Sequence, residues 1–132
     1  PYYYEVDVSR EGYVVEKNDC DYSINIVHGF LFEKPFIEGI PYTLINDIAD
    51  KTEADITICG HYHTGFGIKE YNNKYFVNPG AIARINNISS EVERIPSCLL
   101  IDIENGIKLY MRKLLCAKPG KEVFDEVSQS KK

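Results

Sequence analysis

Short apolar runs separated by turn-forming clusters fill this chain, and the spacing within each run decides which element it predicts. Residues 2–17, YYYEVDVSREGYVVEK, alternate loosely between β-branched or aromatic and polar positions on either side of Glu11-Gly12, which predicts a hairpin. Asn18-Asp19 is a turn signal, and the apolar stretch 22–28 predicts a strand that stops at His28-Gly29. Residues 31–42, LFEKPFIEGIPY, hold two prolines and a glycine and predict a loop. Thr43 is placed to cap a short helix running to about Lys51, because Leu44, Ile45, Ile48 and Ala49 share one face at helical spacing. A second buried strand is predicted over 55–59, and it too runs into a glycine and a histidine. A hairpin follows, Ile68 to Tyr71 and Lys74 to Val77 about Asn72-Asn73, and Asn78-Pro79-Gly80 breaks it. Residues 86–94, NNISSEVER, read as a polar loop, and 97–115 as a hairpin turning at Asn105-Gly106. The stretch 1–116 therefore reads as one domain portion, and 117–132 as a tail with a short helix around Val123 and a disordered end.

Composition narrows the class. Hydrophobic residues make up 44% and charged residues 27% of the chain, enough apolar material for a core. The net charge of -5 argues against a binder that grips nucleic acid through a broad basic surface, but not against a nuclease whose metals supply the positive charge. Cys20, Cys59, Cys98 and Cys116 are widely spaced and form no C-x-x-C, which suits idle or buried thiols in a reducing cytoplasm. No apolar run approaches the ~18 residues of a membrane span, so no membrane partner is expected. The first residues are polar and aromatic rather than leader-like and include no initiator methionine, so the chain is expected to be a C-terminal fragment or a truncated product.

The histidines carry the candidate chemistry. The chain has three, and all follow apolar strands beside glycine: His28 in INIVHG, then His61 and His63 in ITICGHYH. Ligand sites in α/β proteins gather beyond the carboxyl ends of strands. In an extended segment, positions i and i+2 face the same way, so His61 and His63 are expected to present both imidazoles to one side, with Tyr62 turned away. Gly29 and Gly60 leave room for a close approach to the backbone. Neutral imidazole is a ligand for zinc, manganese and iron. The competing readings are a hydrogen-bonded structural histidine at position 28 and a chance H-x-H.

Taken in order, IVHGF, ADITICGHYHTGFG and YFVNPGAIAR resemble the last third to half of the calcineurin-like metallophosphoesterase family, and 97–115 is similar to its closing hairpin. The resemblance covers roughly residues 22–115. It implies an α+β fold, the C-terminal half of a four-layer α/β/β/α sandwich with a mixed β-sheet and few helices. It implies metal-dependent hydrolysis of phosphoester bonds, a phosphatase or a phosphodiesterase/nuclease reaction at a dinuclear centre, with a phosphoester or nucleic-acid substrate. Carried over by residue, His28 and His61 would bind one metal and His63 the second. Gly60, Asn78 and Gly80 would support the site. Arg84 would be a phosphate contact, unless it is simply an exposed arginine. Two divalent ions are implied for the complete protein, manganese first and zinc or iron as alternatives. The family's Asp-x-His, Gly-Asp-x-x-Asp and Gly-Asn-His-[Asp/Glu] motifs are missing from this sequence. Without their carboxylates the chain is expected to hold at most one weakly bound metal, to contain no catalytic residue of its own, and to self-associate through an uncovered apolar face. The alternative from another class is a non-catalytic domain kept for protein contact, and a third is a plain histidine metal-binding module.

Overall fold

The computed structural model describes residues 5–124. It is of the α+β class, with short helices and strands paired both parallel and antiparallel. The chain divides into two compact units, Pro1–Tyr62 with Phe66–Asn78, and His63–Gly65 with Pro79–Lys132.

The first unit is built on a four-stranded sheet of order β1-β4-β6-β5, with β1 Ile24–Gly29, β4 Ile56–His61, β5 Gly67–Tyr71 and β6 Lys74–Asn78. β1 and β4 run parallel, as do β4 and β6, while β5 and β6 form an antiparallel hairpin. Parallel neighbours need a crossover, and the chain between β1 and β4 supplies it. That crossover carries β2 Leu31–Phe32, β3 Thr43–Leu44 and the one-turn helix α2 Ile45–Ile48. It lays Leu31, Ile45, Ile48 and Ala49 against Val27, Cys59 and Phe76 of the sheet, with Tyr13 closing the cluster. Fully burying each of the larger aliphatic side chains stabilises the unit by ~1.5–3 kcal/mol. A helix of one turn persists through that packing and not through its own propensity.

Three predictions need correction here. The hairpin over 2–17 is not formed: residues 5–9 are the helix α1 Glu5–Ser9, followed by a 3-10 turn Glu11–Tyr13, and residues 2–4 lie outside the described range. Alternation misled because the polar slot was the buried one. Asp7 is 4% exposed and accepts hydrogen bonds from Tyr13 Oη at 2.8 Å and Thr43 Oγ1 at 2.9 Å. Thr43 consequently caps no helix; it sits in β3, paired parallel with β2 inside the segment expected to be all loop, and α2 starts at Ile45. The remaining strands and the Asn72-Asn73 turn form close to where they are predicted, both asparagines at positive φ (52° and 62°), as a two-residue hairpin turn requires.

The second unit contains α3 Ser89–Glu93 and the hairpin of β7 Ser97–Ile103 with β8 Ile107–Lys113. The helix replaces the polar loop expected at 86–94. Its Glu91 is 1% exposed and forms an ion pair with Arg94 at 2.8 Å. In the hairpin, Ile103 faces Ile107, so the turn is the triplet Glu104-Asn105-Gly106. Residues 120–124 are helical, and Gly120 is packed so closely on α3 that a Cβ there would lie 2.0 Å from the Val92 carbonyl oxygen. The rest of the expected tail lies outside the described residues.

Candidate metal site

His28 and His61 come from the C-terminal ends of the adjacent parallel strands β1 and β4. The register sets His28 beside Gly60 and Gly29 beside His61. Strict alternation would therefore send the two imidazoles to opposite faces of the sheet. They meet because His61 leaves regular strand geometry, with φ 81°. A non-glycine residue held there costs of order 1–3 kcal/mol and persists only where its surroundings enforce it. The result is a His28 Nε2 to His61 Nδ1 separation of 3.2 Å, with ring centroids 5.1 Å apart.

That separation has two chemical readings. If one imidazole donates and the other accepts, it is a neutral hydrogen bond, the structural role considered for His28. Alternatively, two nitrogens bound at ~2.0–2.1 Å to one tetrahedral cation lie ~3.3 Å apart, so the pair already has the spacing of two ligands on a common ion. His28 is exposed and His61 half-buried, and among the described residues nothing lies within 4 Å of where a Gly60 Cβ would sit. Among the described residues no group of three or more His, Cys, Asp or Glu side chains could hold a metal ion. The donor set thus suits a divalent ion but supplies two neutral ligands at this point.

The other expected residues fall as follows. The extended geometry assumed for His61 and His63 is not kept: β4 ends at His61, and 62–64 bend and turn. His63 belongs to the second unit, is exposed, and accepts the Ala81 N–H on its carbonyl at 2.8 Å. Gly80, at φ 79°, sits against that turn; a Cβ would lie 3.0 Å from the carbonyl oxygens of His63 and Thr64. Asn78 is buried and donates from Nδ2 to the Tyr62 carbonyl at 3.0 Å, tying the end of β6 to the exit of β4. The room expected at Gly29 is taken on its Cβ side by the core, because a Cβ there would be 2.2 Å from Tyr13 Oη. Arg84 is half-buried rather than exposed, and donates to the carbonyls of Glu91, Arg94 and Lys118.

Two features near the pair escaped sequence reasoning. The Phe30 ring lies 4.0 Å from the His61 ring and contacts Phe32 and Phe36, which in turn pack on Tyr62. Three phenylalanines in HGFLFEKPF were the available signal, two of them hidden in the segment 31–42 read as loop. The second is Asp7, whose Oδ2 accepts the Phe30 N–H at 2.9 Å just beyond His28. Its surroundings are dry. Burial first, then the Asp7 charge, raises the Tyr13 hydroxyl above its ordinary range and pushes the Cys59 thiol up to about 12.

No model of a known protein family matches the chain. Among the described residues no helix is long and apolar enough to cross a membrane.

Proposed function

We propose that this chain carries part of the active site of a metal-dependent phosphoester hydrolase, with His28 and His61 as ligands of one divalent ion. The supporting observation is the 3.2 Å approach of two imidazole nitrogens at the C-terminal ends of neighbouring parallel strands. In this reading the sheet is the C-terminal half of the four-layer sandwich, and the ion is manganese before zinc or iron. Such ions, when bound, polarise phosphoryl oxygens and make hydroxide available near neutral pH. The chain's own residues hold the site in shape: Asn78 fixes the β4 exit, and no described residue crowds the Cβ position of Gly60. Arg84 spends its guanidinium on backbone carbonyls, so its contribution is to the loop that it braces.

Two neutral imidazoles offset none of the charge of a pair of dications, which is why at most one weakly held ion is expected in this chain. Isothermal titration with zinc and with manganese tests this. The expected result is weak uptake of one ion that His28→Ala and His61→Ala each abolish; equal heats in both variants and the parent sequence would sink the ligand assignment. In a protein extended by the flanking coding sequence, His61→Ala should remove most manganese-dependent cleavage of a chromogenic phosphodiester. The non-catalytic reading gains from the missing third ligand among the described residues, and predicts no turnover in either form.

A further inference from the structure

We infer that Phe30 is a positioning residue for His61, itself anchored by the buried carboxylate of Asp7. His61 holds a strained backbone, φ 81°, that costs energy even for a histidine and so depends on its surroundings. The ring of Phe30 packs against that side chain, centred 4.0 Å from the His61 ring at a tilt of 58°. Phe30 is in turn fixed from two sides. Its backbone N–H donates to Asp7 Oδ2 at 2.9 Å, and its ring packs on Phe32 and Phe36 with centroids at 5.8 and 6.0 Å. Asp7 is 4% exposed and also accepts from Tyr13 and Thr43, so the anchor is a carboxylate with donors on both oxygens inside the core. Tyr13 Oη lies against Gly29, which permits the contact only because glycine has no Cβ. The segment His28-Gly29-Phe30 is therefore clamped at its middle, next to the two imidazoles.

The consequence for metal uptake rests on the proposed function; the orientation of the ring does not. Two measurements separate them. In the wild-type chain, three-bond side-chain couplings should report one χ1 rotamer for His61, while Phe30→Leu should average it and Phe30→Tyr should keep it. Zinc affinity should fall by about 10-fold in Phe30→Leu, the low end of what outer-sphere partners contribute, and hold in Phe30→Tyr. If Phe30→Leu fails to fold by circular dichroism, the near-isosteric Phe30→Met takes its place. A His61 side chain that stays in its single rotamer without the aromatic ring overturns the inference. Absence of zinc uptake in the wild-type chain overturns the metal reading alone, and the couplings still decide the positioning role.

Discussion

At the scale of single residues, the buried polar positions carry more of the argument than the apolar ones. Asp7 has been taken out of water, and each donor that it loses leaves desolvation uncompensated. Tyr13→Phe removes the 2.8 Å phenol bond while preserving the ring in its 0% exposed site. Hydrogen bonds to charged groups are worth ~1.5–3 kcal/mol, and urea denaturation should show a loss of about that size with an unchanged m-value. Cys59 makes a second prediction. Burial and the Asp7 charge push its thiol from 9.0 up to about 12, so the folded state holds the proton more tightly than the unfolded one. The resulting stability is complete below pH 9 and is lost as pH rises toward 12. Tyr13, raised for the same reasons, adds loss above its ordinary value of 10.0. Alkaline unfolding should therefore begin above pH 9, and Cys59→Ala should soften its onset. Thiol labelling at pH 8 checks the burial directly: exposed Cys20, Cys98 and Cys116 should react in the native protein, and Cys59 only after denaturant is added.

At the scale of elements, what was legible in the sequence was what local chemistry determines. Asn72-Asn73 and Asn105-Gly106 both turn hairpins, because few residues adopt positive φ at low cost. Replacing Asn73, at φ 62°, by glycine should relieve residual strain and raise stability by about 0.5 kcal/mol in thermal melts. Tertiary context decided the rest. Val6 and Val8 alternate like a strand, yet a helix brings Asp7 to Tyr13 and Thr43 from 6 and 36 residues away in sequence. The α3 segment looked polar because its chief anchor is an ion pair. Burial alone would raise Glu91, but the Arg94 guanidinium and the Ile85 N–H overcome it, and the carboxyl lies below its usual range. Its contribution is thus present above the ordinary glutamate range and is lost as pH falls from there through the carboxyl's lowered folded-state range. Arg94 also donates to the carbonyls of Ala81 and Ala83, so it braces the loop that begins at the Asn-Pro-Gly turn. Arg94→Ala would strand a buried carboxylate, which costs ~3–5 kcal/mol. Hydrogen exchange should show the 79–95 backbone losing protection first. The candidate site divides the same way: strand ends marked His28 and His61, but the positive φ that unites their rings has no sequence signature, and it invalidated the i, i+2 argument for His63.

At the scale of the whole molecule, the distribution of apolar surface sets the behaviour. The largest buried hydrophobic side chains, among the described residues, all fall in the first unit: Tyr13, Phe76, Leu31, Ile45, Ile48 and Ile56. In the second unit, Ile82, Ile85, Ile88, Ile95 and Leu115 are exposed, Leu115 fully at 100%. Among the described residues the hairpin β7–β8 is a two-stranded sheet, and its apolar pairs Leu99–Met111 and Ile101–Leu109 are only half-buried. A ribbon of that kind is marginal in water without a further surface to cover it. The first unit has its own opening. β1 is an edge strand of the four-stranded sheet, and Ile24 and Ile26 project from it at 43% and 77% exposure. Edge strands with exposed apolar side chains and few charges favour pairing with another copy. A net charge of -5 on 132 residues opposes this weakly and is screened at physiological salt. Sedimentation velocity at rising concentration should therefore show self-association that added salt does not reverse. Ile26→Lys, which places a charge on the exposed edge without touching the core, should return the chain toward monomer with an unaltered melting temperature. A chain that sediments as a monomer throughout would mean that these surfaces are too scattered to act together, and that the exposed isoleucines of β1 are tolerated singly, as isolated apolar residues on soluble proteins usually are.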